Sequence, residues 1–316
     1  MSGESHRAFA CFGGTVAVHV RGATAADGEA GAELAEQRLL AAHRRLSRFE
    51  PESELSRLNR DPREAVPATP LLRALAAAVR RAGALSEGLV DATMVAEIER
   101  AGYRESLGAA GGTLSLAEAL AAAPPRHACA PSPAARWQAV AVDEQRGVVI
   151  RPPGVAIDSG GLAKGLLADL LADELGGRPA FGIDCCGDVR VGGREGLARR
   201  ILVEDPFGGP PLHELTLRDG AAATSGIGRR CWRRAGGRPA HHLLDPATGE
   251  PAFTGIVQAT ALAPFALLAE IYAKTALLAG PEAAPELLPQ GGVLVHDDGT
   301  AEVVEARVPI AAGVQR

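Results

Sequence analysis

One stretch, Ala222 to Pro251, constrains the chain more than any other: AATSGIGRRCWRRAGGRPAHHLLDPATGEP. It opens on Thr224, Ser225 and Gly226, small groups whose hydroxyls and backbone N–H can face an anion, and continues into Arg229, Arg230, Arg233 and Arg234. It closes on His242, with Leu243 and Leu244 before Asp245 and Pro246. A strand that carries His242 and runs up to Asp-Pro sends alternate side chains to opposite faces, and Asp-Pro-Ala-Thr-Gly then turns the chain. An imidazole titrates near neutrality, so a His held before a turn is a natural general base. The competing reading is structural: His241 and His242 straddle a strand, one exposed and one packed, and Asp245 caps the turn.

What surrounds this stretch must fold with few aromatic rings. They make up 3% of 316 residues, so Ala, Leu and Val must fill the core, and 47% hydrophobic with 22% charged residues is the profile of a soluble globular protein. A net charge of -5 leaves no basic excess for a nucleic-acid or acidic-membrane binder, although the local arginines can serve one anionic ligand. Met1 to Ala10 has no apolar run of signal-peptide length and no apolar span reaches eighteen residues, so the expected location is cytoplasmic, without a membrane partner. Five cysteines with no CxxC pair argue against zinc and against a secreted disulfide framework.

The chain in order predicts alternating elements. Phe9 to Val20 reads as one strand interrupted at Gly13-Gly14, and Glu29 to Ser47 as a helix. Phe49 with Ser53-Glu54 suits a helix entry, and Pro70 to Leu85 is helical with Leu71, Leu75, Val79 and Ala82 on one face. Gly88 to Thr93 then puts Asp91 and Thr93 two apart. That arrangement suits either a polar ligand or a helix cap. Leu107 to Pro133 is rich in Ala, Gly and Pro; it holds a Ser115–Glu118 capping box and ends, from Pro124 to Pro133, in a loose connection. Trp137 to Val142 and Gly147 to Ile150 form a hairpin, and Phe181 to Val191 two strands around Cys185-Cys186-Gly187-Asp188. Strands follow at Ile201 to Glu204 and Leu212 to Leu217, making a meander into Thr224. Ile256 to Leu262 is a strand, Pro264 to Leu278 a helix with Glu270 and Lys274 on one face, and Gly291 to Val304 a closing hairpin.

A second informative run is Ala156 to Gly165. A strand ending at Asp158, a turn at Gly160-Gly161 and a helix start with Lys164 suit phosphate oxygens, or the glycines serve only close packing. The spacing fits neither GxxxxGK[ST] nor GxGxxG.

Taken in order, SRFEPESELSRLN, GLVDAT, AGYRES, DSGGLAKG, DCCGDVRVGG, ATSG with HHLLDPATGEP, and AEIYAKTALLAG resemble the ApbE family, the FAD:protein FMN transferases once labelled thiamine-biosynthesis lipoproteins. The resemblance runs from about Gly13 to Gly280. It implies FAD as substrate, Mg2+ on the pyrophosphate, and a partner protein whose Thr or Ser hydroxyl attacks the FMN phosphorus with release of AMP. His242 matches the family's general base. Phe49, Leu89, Val90, Asp91, Asp158, Lys164, Asp188, Thr224, Ser225 and Gly226 match its flavin-nucleotide site, and the Gly161 carbonyl a metal ligand. Glu270 and Lys274 stand where the family's A-D-x-x-x-T helix completes the metal site. Glu still offers oxygen to Mg2+, but the Lys274 ammonium offers no lone pair and would repel the ion, which leaves two readings open: Mg2+ bound with one family ligand missing, or Lys274 in place of the metal. Cys185-Cys186 replaces a Leu-Gly-like pair and is assigned no chemistry. No acceptor segment is evident, so the acceptor acts in trans. The same site also admits FAD pyrophosphatase chemistry, or flavin binding without turnover.

The expected fold is α+β in a single unit, with mixed, mostly antiparallel sheets and flanking helices, and FAD between two lobes.

Overall fold

The computed structural model describes residues 3–105, 113–234 and 236–310. The chain opens with a hairpin, not the interrupted strand expected over Phe9 to Val20. β1 (Glu4–Cys11) and β2 (Gly14–Arg21) pair antiparallel with Cys11 opposite Gly14. Phe12 at φ 55° and Gly13 at φ 73° form the turn between them. Two successive left-handed residues give a turn whose twist matches that of the strands, so Gly13 marks a reversal of the chain and not an interruption of one strand.

Polar caps then set the helices. α1 (Ala25–Leu46) starts where the Thr24 side chain accepts from the Asp27 N–H, and α2 (Glu54–Arg60) where Ser53 accepts from the Ser56 N–H. A short strand that the sequence did not suggest, β3 (Ala65–Pro67), precedes α3 (Pro70–Leu85), which has the predicted bounds. α4 (Val95–Arg100) follows the Asp91–Thr93 turn, and α5 (Leu116–Ala121) carries the Ser115–Glu118 capping box. Residues 107–112 of the Ala/Gly/Pro-rich region lie outside the described residues. The connection from Pro124 to Pro133 has no helix or strand, yet it is tied down. The His127 N–H reaches the Phe253 carbonyl (3.1 Å), and the Cys129 N–H the Leu278 carbonyl (2.9 Å).

β4 (Ala141–Asp143) and β5 (Val148–Ile150) form the expected hairpin, with β3 on the other side of β5. Trp137 is not part of it. It sits in a 3-10 turn, Arg136–Ala139, with its indole over Gly83 of α3, where a Cβ would lie 2.2 Å from the ring. Packing of the aromatic ring onto that gap overrides its strand propensity.

After α6 (Ala163–Leu175) come β6 (Ala180–Cys185) and β7 (Asp188–Gly192), then β8 (Arg199–Val203) and β9 (His213–Leu217), which pair only with each other. The chain continues through β10 (Gly220–Gly226), β11 (Cys231–Arg233), β12 (Pro239–His241), β13 (Ile256–Ala263), α7 (Ala266–Ala279), β14 (Gly292–His296) and β15 (Ala301–Val304). The main sheet has the order β1-β2-β6-β7-β10-β13-β14-β15. Its pairs are all antiparallel. α1 packs on β1 and β2, α6 on β6 and β7, and α7 on β10 and β13, with α6 touching both other helices. This is the predicted α+β architecture. The scarcity of rings is met as expected, with Val16, Val18, Val20, Ile183, Leu39 and Leu175 fully buried beside Ala221, Ala223 and Ala263. Among the described residues no helix is long and apolar enough to cross a membrane, and all five cysteines are free.

Gly165 fixes the spacing of α6 and α7. A Cβ there would stand 2.7 Å from the Ala266 carbonyl oxygen and the Leu267 backbone, which cannot rotate away. Gly165→Ala is therefore expected to destabilise the protein by about 1–3 kcal/mol through overpacking, outweighing the roughly 1 kcal/mol that Ala gains over Gly in a helix. A shift of the urea midpoint to higher concentration would show instead that the helices separate freely.

Candidate active site

Residues far apart in sequence meet at the turn before α6. Asn59 of α2 grips Ile157 from both sides: Nδ2 donates to its carbonyl and Oδ1 accepts from its N–H, both at 2.8 Å. The Ser159 hydroxyl donates to the Leu46 carbonyl at the end of α1 (2.7 Å), and the Asp158 N–H to the Ala92 carbonyl (2.8 Å). With its backbone hydrogen bonds spent on other segments, residues 155–158 form no strand, contrary to expectation. What results is a fixed turn, Asp158 to Gly161, against the 89–93 loop.

Two adjoining cavities meet at this turn and share Tyr103, Asp158, Gly160 and Arg230. The first, partly open to solvent, is lined by Leu89, Val90, Asp91, Gly161, His242 and Lys274 with further apolar residues. The second, also open to solvent, is lined by Phe49, Arg48, His43 and Lys164. Of the residues matched to the flavin-nucleotide site, Phe49, Leu89, Val90, Asp91, Asp158 and Lys164 thus face one space or the other. Thr224, Ser225 and Gly226 line neither. They lie in β10, where the Thr224 N–H donates to Asp188 Oδ1 (3.3 Å) and the Thr224 hydroxyl pairs with that of Thr260 (2.8 Å).

His242 stands just past the end of β12, so the strand expected to carry it stops one residue short. Cys231 pairs with His241 at the end of the β11–β12 ladder, and the adjoining residues Arg230 and His242 both line the first cavity. The two histidines separate as alternation requires. His241 is fully buried edge-on to Phe253 (4.9 Å), and His242 faces the first cavity. Asp245 plays the turn-capping part: Oδ1 accepts from the Ala130 and Ala247 N–H groups, both at 3.1 Å, and Oδ2 accepts from the Thr248 hydroxyl at 2.9 Å. Burial, and then the neighbouring Arg230, His241, Lys274 and Lys164, hold the His242 pKa well below the ordinary 6.5. The ring is therefore neutral at pH 7, the form that accepts a proton. Its Nδ1 is buried without a hydrogen-bond partner, and so is Asp91 Oδ2. Asp91 Oδ1 is already taken by the Thr93 N–H (2.8 Å) and hydroxyl (2.5 Å). Two unpartnered polar atoms on residues lining one cavity mark a place for a polar ligand.

Beneath the cavities lies a charge cluster. Lys164 pairs with Asp188, and its Nζ is 4.0 Å from Glu270 Oε1. Burial opposes its charge, but the Asp188 and Glu270 carboxylates outweigh that and hold the Lys164 pKa above the ordinary lysine value. Lys274 Nζ donates to Glu270 Oε1 at 2.9 Å, and the Gly165 N–H to Glu270 Oε2 at 3.0 Å. Glu270 and Lys274 are both buried, so this is no ordinary surface pair. These residues do not fit the Mg2+ that the resemblance implied. Both Glu270 oxygens are engaged, Lys274 is donor-only, and among the described residues no three His, Cys, Asp or Glu side chains group to hold a metal.

Sequence reasoning missed Arg48 and Tyr103. The nearly buried Arg48 guanidinium lies 4.2 Å from the Phe49 ring centre, and its Nη2 donates to the Tyr103 carbonyl (2.7 Å). Its Nε, 3.4 Å from Asp158, has no hydrogen-bond partner. Phe49, Tyr103 and Trp232 form a row of rings 5.5 and 5.6 Å apart. The only available signal was position, since Arg48 precedes Phe49 and Tyr103 lies in the AGYRES block.

Residues 12–295 match the model of the ApbE family. The chain belongs to the ApbE family. A curated relative, the FAD:protein FMN transferase of Treponema pallidum (strain Nichols), is 32% identical over 164 residues, 47% of this chain and 45% of that protein. The FAD:protein FMN transferase of Escherichia coli (strain K12) is 28% identical over 150 residues, 46% of this chain and 42% of that one. The chain thus spans about half the length of the curated relatives it matches. In fold it is similar to the ApbE protein of Thermotoga maritima, with a TM-score of 0.76, 23% identity, and 96% and 97% of the two chains covered. The flavinyl transferase ApbE of Pseudomonas stutzeri gives 0.72 at 22% identity, with 95% and 94% covered. The cavities are bounded by residues from the blocks that carry the resemblance: Phe49, the 89–91 loop, the Asp158–Lys164 turn, His242 and Lys274.

Proposed function

We propose that this ApbE-family chain transfers FMN from FAD to a Ser or Thr hydroxyl of a partner protein, releasing AMP. The observation that carries this reading is His242, which lines the first cavity with an unpartnered Nδ1 and has as a neighbour Arg230, a residue that both cavities share. The names of the curated relatives and the near-complete family match support it. FAD is long and carries a diphosphate between two ring systems, and two adjoining cavities with cations at their junction suit such a molecule.

In the reaction the acceptor oxygen bonds to the phosphorus of the FMN half, and the anhydride bond to AMP breaks. His242 takes the hydroxyl proton. Arg230 and Lys164 lie close enough to the junction to balance negative charge that builds on the phosphoryl oxygens and on the departing AMP. Asp91 Oδ2 accepts from the flavin nucleotide. Thr224 acts indirectly, by holding the Asp188 carboxylate that anchors Lys164.

Incubation with FAD and host-cell protein, followed by chromatography for AMP and by flavin fluorescence on denaturing gels, tests this. The expected result is AMP and fluorescent bands in equal amounts. AMP with free FMN would make the chain a pyrophosphatase, and bound FAD without AMP a flavin-binding protein. The pH profile gives a second check. Because the His242 pKa is depressed, the basic form persists below pH 6.5, so kcat/KM is expected to stay level through neutrality and to fall only on the acid side of the ordinary imidazole value. A fall centred at or above 6.5 would mean that His242 is not the base.

A further inference from the structure

We infer that this site neutralises its diphosphate with Lys274, Lys164 and Arg230 in place of a divalent cation. The inference rests on the flavin reading and deepens it. Lys274 lines the first cavity, Lys164 the second, and Arg230 both. Glu270 lies between the two lysines, 2.9 Å from one ammonium and 4.0 Å from the other, and its second oxygen accepts from the Gly165 N–H, so both oxygens already serve protein donors. Its part is to hold two cations upright under the junction. Of the three donors on the Lys274 ammonium, Glu270 takes one. The others are available to phosphate oxygens.

Lys164, Lys274 and Arg230 bring three positive charges to the walls of the two cavities, with Asp188 and Glu270 holding the two lysines in place. The Lys274 stem also closes on Gly161, with Cε 3.5 Å from where a Gly161 Cβ would be. The lysine fills the space beside the turn whose carbonyl the resemblance offered to a metal. A dication set beside this ammonium would be repelled by it and would have to displace its only carboxylate.

The test measures FAD affinity by quenching of flavin fluorescence, in excess EDTA and in millimolar Mg2+, alongside the rate of AMP release. Expected is a change in affinity under about threefold between the two conditions. Loss of the ammonium is expected to weaken FAD binding about 10–100-fold in both, the worth of a charge-assisted contact. Because Lys274→Met takes from the buried Glu270 the nearer of its two lysines, the double variant Glu270→Gln/Lys274→Met, which removes both charges, and Arg230→Met at the cavity wall are measured beside it. A loss of affinity of threefold or more in EDTA that Mg2+ restores overturns the inference, as does wild-type affinity in all of these variants. Failure to bind FAD under either condition would instead bring down the flavin reading, and this inference with it.

Discussion

His242→Ala is expected to lower AMP release from FAD by about 10²–10⁴-fold, the usual worth of a positioned general base, while FAD still binds. The separation follows from the geometry. His242 has an unpartnered Nδ1 and supplies no hydrogen bond to the fold that its loss would break, and its ring faces the cavity while its neighbour His241 packs against Phe253. Replacement by Ala therefore removes the proton acceptor and leaves Arg230, Lys164 and Lys274 in place. Two measurements decide the matter: the single-turnover rate, and the FAD dissociation constant by fluorescence. An unchanged rate would take His242 out of the chemistry, and a parallel collapse of FAD binding would make it a binding residue. His241→Ala is the companion variant. It is expected to act on stability, since it opens a hole against Phe253.

Asp169→Ala is expected to destabilise the fold by about 3 kcal/mol or more. α7 has no capping side chain of its own, because its N-cap residue is Phe265. Asp169 supplies the cap from α6: Oδ1 accepts from the Ala266 N–H at 2.8 Å and Oδ2 from the Leu267 N–H at 3.0 Å, all of it buried. A carboxylate there also faces the positive end of the helix dipole. Truncation leaves two buried donors unpaired and Arg190, whose Nε is 3.7 Å away, without this partner. Asp169→Asn, which keeps an acceptor, should fall between the two. Urea unfolding gives the free energies, and a loss below about 0.5 kcal/mol, the level of an ordinary surface change, would rule the capping role out. Because α7 carries Glu270 and Lys274, the Ala variant should also lose FAD affinity.

Much of this was legible in local patterns. Capping residues and apolar periodicity located α2, α3 and α5 because a cap and its helix lie within a few residues of each other, and the Asp297-Asp298-Gly299 turn of the last hairpin is encoded the same way. The errors came where a partner outside the segment decided the conformation. Trp137 left its strand for the gap at Gly83, residues 155–158 gave their hydrogen bonds to Asn59 and Ala92, and β12 ended before His242. At the site, the order of the blocks pointed to His242, Phe49, Asp91, Asp158 and Lys164, which do line the cavities. Arg48 and Tyr103 carry no local signature and went unseen.

The sequence by itself determined the family, the α+β class, the helix starts and turns, and the residue types available for chemistry, since these depend on contacts within a few residues or on the order of motifs. Tertiary structure alone decided which of those residues work together. It set Arg230 and His242 on one cavity wall, turned Glu270 into a holder of two lysines, and gave α7 a cap from a helix 97 residues earlier in the chain. The physical reason is that charge neutralisation, burial and the pairing of buried polar groups act through space over a few ångströms, and chain separation does not enter them.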